Sequence, residues 1–93
     1  MKIMTTWSLK PGEFSEAVRR FLAGQGMPPE GVKLLGRWHS ADLNSGFGLV
    51  ETNDPILVYR FLAAWADVLE FKNYIVIEDS DAGPALASLK LNK

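Results

Sequence analysis

The chain has 93 residues, 47% of them hydrophobic and 23% charged, with a formal net charge of -1 and no cysteine. That length makes one domain, 1–93, of ordinary globular composition, small enough that its stability is expected to lean on a partner. The missing cysteines exclude a disulfide framework and thiolate metal sites, and the absence of a basic stripe argues against a nucleic-acid partner.

At the N-terminus, Lys2 precedes only a brief apolar stretch that Thr5, Thr6 and Ser8 interrupt. Neither a signal peptide nor a membrane anchor is expected there, and a cytoplasmic location is the default. Lys2 to Leu9 reads as a strand, rich in β-formers and stopped by Pro11-Gly12. A helix of roughly a dozen residues then starts near Gly12 or Glu13. Phe14, Ala17, Val18, Phe21 and Leu22 give it one apolar stripe at helical spacing. Gly24, Gly26 and Pro28-Pro29 end it.

Val32 to His39 and Gly46 to Thr52 are two further strands, and the turn formers Ser40 to Ser45 between them make a hairpin. Asp54 or Asn53 caps a second helix that has Pro55 at its first position. This helix has Arg60 and Asp67 as its only charges between Pro55 and Leu69, so something must cover more than one of its faces. Phe71 to Glu78 is the fourth strand. A last short helix, capped at Ser80 or Asp81, carries Ala82, Ala85, Leu86 and Leu89 on one side; it either covers the second helix or reaches a partner chain.

The order β-α-β-β-α-β plus a tail helix is that of an α+β, ferredoxin-like protomer: a four-stranded antiparallel sheet with two helices on one face. Met4, Leu34, Leu35, Leu49 and Val50 place apolar side chains at both parities of their strands. Burial of both sheet faces, and therefore a homodimer, is the expectation.

Candidate chemistry centres on the only histidine, His39, within Gly36-Arg37-Trp38-His39. Arg37 and His39 are two apart and share a sheet face, whereas Trp38 points the other way. If His39 pairs with Gly46, then Arg37 faces Gly48 and Leu35 faces Val50, and the glycines leave room for a ligand or a large side chain. A one-residue slip would reassign these faces. On the functional reading His39 and Arg37 are the catalytic pair: neutral His39 takes a proton while Arg37 holds a carboxylate or an enolate oxygen. Glu51 would orient them, and Trp7, Trp38 and Tyr74 would bind the ligand as walls. On the structural reading, which chance favours for so short a motif, Arg37 pairs with a surface carboxylate and His39 merely ends a strand. The tryptophans are then core or interface residues. No ligand spacing for a metal is present, and no cofactor is expected.

Thr6-Trp7-Ser8, Pro11-Gly12, Pro29-Glu30-Gly31-Val32, Gly36-Arg37-Trp38-His39 and Glu51-Thr52 together resemble a family of short bacterial proteins of unknown function. That family is placed in the dimeric α/β-barrel superfamily, and the resemblance reaches to about Asp79. It implies a protomer whose sheet packs on that of its dimer mate to close a barrel; it transfers no catalytic residue. Two functions follow as expectations. One is a homodimeric small-molecule-binding domain, acting as a cofactor-independent monooxygenase- or isomerase-like enzyme on a small organic ligand. The other is a non-catalytic dimerisation or regulatory module with no bound ligand. Neither a nucleic-acid nor a membrane partner is expected.

Overall fold

The computed structural model describes residues 1–91. Four strands, β1 (Lys2–Leu9), β2 (Val32–His39), β3 (Ser45–Thr52) and β4 (Leu69–Val76), and three helices, α1 (Phe14–Leu22), α2 (Pro55–Ala63) and α3 (Asp79–Ala87), follow in the order β1-α1-β2-β3-α2-β4-α3. The strands form one antiparallel sheet in the order β2-β3-β1-β4. This is the ferredoxin-like arrangement, in which each β-α-β half places its two strands parallel with one strand between them.

Helices α1 and α2 lie on the same face of the sheet, in two core clusters. Val58 of α2 packs with Ile3, Val32 and Val50. Ala17 of α1 packs with Trp65 and Val68, against Leu9, Leu69 and Phe71 of the sheet. The local chemistry explains the helix ends. Gly24, at φ 83°, takes the left-handed position beyond α1. The Gly24 N–H then donates to the Phe21 carbonyl at 3.0 Å and the Gln25 N–H to that of Arg20 at 3.1 Å, the paired bonds of a Schellman ending. At α2 the Asp54 carboxylate accepts from the Ile56 N–H at 3.0 Å, with Pro55 in the first turn.

Several boundaries differ from those expected. Helix α1 is nine residues long and begins at Phe14. Strand β4 begins at Leu69, because Leu69 to Val76 pair in unbroken register with Leu9 to Lys2. Helix α3 has Glu78 at its N-cap rather than Ser80 or Asp81. It buries no side chain, and Ile56 and Tyr59 of α2 stay 52% and 72% exposed, so the tail helix does not cover the second one. The fold is elongated in consequence. Its radius of gyration is 16.2 Å, against about 12 Å for a compact domain of this length.

The expected barrel is not formed. The sheet is open: β2 and β4 are its two edges, and neither has a second neighbour among the described residues. The expected barrel needs these edges to be paired, with the dimer mate's sheet completing the closure, and here both stand open. The neighbouring apolar pair that read as two-sided burial, Leu34 and Leu35, has a local cause. Leu34 pairs with Val50 and Gly36 with Leu49, so Leu35 is the extra residue of a β-bulge. Leu35 therefore does not face Val50. Beyond the bulge the expected register holds, with Arg37 opposite Gly48 and His39 opposite Gly46.

Candidate functional site

Between the sheet and its two helices lies an open cleft of about 400 Å³, within the range of small-molecule sites. Its floor is the helix-side face of the sheet, where Trp7, Arg37, His39, Gly48 and Phe71 stand on adjacent strands. Its roof is the apolar stripe of α1 with Phe61 and Leu62 of α2, and Trp65 beyond α2 also lines it. Of that stripe only Ala17 is buried, and Phe14, Val18 and Phe21 keep part of their surface open to the cavity.

Trp7 explains part of this shape. Its indole lies over Gly46, where an added Cβ would come within 2.1 Å of the ring. Space above that glycine is thus taken by a large side chain. Above Gly48 it is open, since an added Cβ there would meet nothing closer than 3.9 Å.

The polar groups are few. Thr5 is buried, and its hydroxyl donates across the sheet to the Asn73 side-chain oxygen at 2.6 Å. His39 sits between two aromatic edges, its ring centroid 5.5 Å from that of Trp7 and 5.3 Å from that of Phe21. Arg37 is half-buried; its Nη1 donates to the Gly26 carbonyl at 2.5 Å, and its guanidinium carbon lies 5.3 Å from the centre of the Phe21 ring. Whereas Arg19 and Arg20 are paired with Glu16 and Asp67, Arg37 has no ion-pair partner among the described residues. Burial pushes its guanidinium below the ordinary arginine value, the direction expected for a cation stripped of water without a counter-charge. No aspartate or glutamate is among the residues lining the cleft.

At the mouth, the Ser40–Ser45 turn is held by side-chain bonds. The Ser40 hydroxyl donates to Asp42 at 2.5 Å, and the Asn44 N–H donates to the same carboxylate at 3.1 Å. This pins Leu43 at φ 67°, a left-handed conformation unusual for a bulky residue, and Leu43 lines the entrance.

The structure therefore brings Trp7, Arg37 and His39 together and puts the other three candidates elsewhere. Trp38 pairs with Phe47, Glu51 with Lys2 and Lys33, and Tyr74 with Met4, all on the opposite face of the sheet. From there Glu51 does not orient His39, and neither Trp38 nor Tyr74 forms a wall of the cleft. Sequence reasoning missed Phe21, Trp65 and Leu43 as lining residues. The apolar stripe identified the buried side of α1, but nothing in it shows that the space beneath is only partly filled. Among the described residues no group of three or more His, Cys, Asp or Glu side chains could hold a metal, and no helix is long and apolar enough to cross a membrane.

These features define an open-sheet, ferredoxin-like α+β domain with an apolar cleft between sheet and helices. The chain belongs to the DUF3303 family, a domain of unknown function whose family model matches residues 1–90. Among solved structures it is similar to an uncharacterized NIPSNAP domain protein from Burkholderia xenovorans, with a TM-score of 0.48 and 15% identity over 83% of this chain and 95% of that one. No curated protein matches it.

Proposed function

We propose that this chain is a non-catalytic binding module that holds a small, largely apolar molecule in the cleft. The observation that carries the reading is the combination of an open cavity of about 400 Å³ with walls that are almost wholly apolar and aromatic. A monooxygenase- or isomerase-like reaction has less support. A histidine acting as general base is ordinarily oriented by a second polar group, whereas His39 is flanked by aromatic edges in a cleft that no carboxylate lines.

Gly48→Leu tests this. A Cβ at position 48 meets nothing closer than 3.9 Å and the cavity lies on that side of the sheet, so the leucine should extend into the cavity and occupy it while the fold persists. Calorimetric titration with 2-naphthoate and its neutral amide should show at least one of them binding the unaltered protein. Binding should weaken by about tenfold or more in Gly48→Leu, whose melting temperature stays level or rises. If neither compound binds, or if Gly48→Leu binds as well as the parent, the cleft is not a ligand site.

The opposite face of the sheet supports a homodimer as the working form. Leu35, Trp38, Phe47 and Tyr74 are exposed there, around half-buried Met4 and Leu49. So contiguous an apolar patch on a small domain favours being covered, and a second copy presenting the same face is the simplest cover. Light scattering at tens of micromolar should give twice the chain mass. Phe47→Lys, which places a charge in the centre of the patch, should return it to the single-chain mass; a monomer at the outset would remove the dimer.

A further inference from the structure

The reading of the cleft as a ligand site can be taken one step further, to the class of ligand. Among the described residues that line the cavity, Arg37 is the one charged side chain. Its Nη1 is anchored by the Gly26 carbonyl, which fixes the fork and leaves the remaining guanidinium N–H groups without a protein acceptor among the described residues. A partly desolvated cation in a cavity free of acids is poorly satisfied by its own protein. The group that satisfies it is a planar anion presenting two oxygens to the fork. With a single cation present, one negative charge is matched and a second is not, which favours a carboxylate over a phosphate dianion.

The walls determine what carries that carboxylate. Trp7, Phe21, Trp65 and Phe71 all border the cavity, and Phe21 lies next to both Arg37 and His39. Aromatic walls favour a flat ring, through edge-to-face and offset contacts added to the area buried. We infer that the cleft selects aromatic monocarboxylates, with the ring among these side chains and the carboxylate on Arg37. This rests on the cleft being a ligand site, and the two ideas fail in different ways.

The test is calorimetric titration of 2-naphthoate against 2-naphthamide, two probes of the same shape that differ in charge. In the unaltered protein the acid should bind about tenfold or more tightly than the amide, the advantage of a charge-assisted pair over a neutral one. Arg37→Gln should bring the two to near parity by weakening the acid alone, and Arg37→Lys should keep part of the preference. Because the acid-to-amide ratio is measured first in the parent chain, the outcome does not hang on how well either variant folds. Equal affinities in the parent, with binding still blocked by Gly48→Leu, would overturn the carboxylate class and leave the cleft as a site for neutral apolar molecules. Binding of neither probe would overturn both ideas together.

Discussion

Trp65→Ala should destabilise the domain by about 3–5 kcal/mol, the usual cost of deleting a large buried aromatic. Trp65 is 8% exposed and joins Ala17 of α1 to Val68, which at 1% is the most deeply buried large side chain. It is also the residue around which the chain turns from α2 into β4. Its N–H donates to the Leu62 carbonyl at 2.9 Å, and its own carbonyl accepts from Val68 and Leu69, each at 3.0 Å. On the outer side the Arg20 guanidinium lies 5.8 Å from the ring centre while bonding both oxygens of Asp67. Removing the ring therefore opens a hole beneath α1 and takes the surface from under Arg20. A domain of this size has roughly 5–14 kcal/mol in total, so the loss is a large fraction of it. The melting temperature followed by circular dichroism should fall by at least about 12 °C. A fall of only a few degrees would show that the second core cluster contributes little.

Gly46→Val should cost about 1–3 kcal/mol for a different reason, too little space rather than too much. The Cβ of any residue at position 46 would lie 2.1 Å from the Trp7 ring, with two more ring atoms within 2.6 Å. Backbone conformation is not the obstacle, because Gly46 is not among the glycines at positive φ. The indole has to leave. Trp7 borders the cleft, so moving its ring should cost affinity for either naphthalene probe as well as stability. The paired substitution Trp7→Ala/Gly46→Val should be less destabilised than the sum of the two single changes, since the clash is then gone. Additive costs in thermal melts of the full cycle would mean that the ring and the glycine do not oppose one another.

Much of this architecture was legible from residue order. The βαββαβ succession, Asp54 with Pro55 at the head of α2, and Gly24 beyond α1 each follow from local chemistry that tertiary contacts did not override. The pairing of Arg37 with Gly48 and His39 with Gly46 was legible too, because the short turn from Ser40 to Ser45 counts the register outward from itself. What did not follow was anything that depends on how far apart the layers stand. An apolar stripe such as Phe14, Ala17, Val18 and Phe21 specifies which way α1 faces and leaves open whether the space below it is filled. Adjacent apolar residues such as Leu34 and Leu35 look alike whether a strand is covered on two sides or bulged. The closed barrel was implied by the family resemblance and not by residue order, and the sheet is open at β2 and β4. The roles given to Glu51, Trp38 and Tyr74 depended on side, and their ladder positions put them behind the sheet.

The extra residue in β2 has an effect out of proportion to its contacts. Val32 and Leu34 occupy even positions, Arg37 and His39 odd ones, and yet all four project toward the helices because one step of the ladder is skipped at Leu35. The count of residues there, more than the identity of the one inserted, determines what the cavity contains. An uninterrupted strand of the same composition that kept Val32 and Leu34 in the core would turn Trp38 inward and send the guanidinium out to solvent. The strand is thus divided into an upstream stretch whose side chains join the core and a downstream stretch whose side chains furnish the cavity wall, with a change in length between them acting as the exchange.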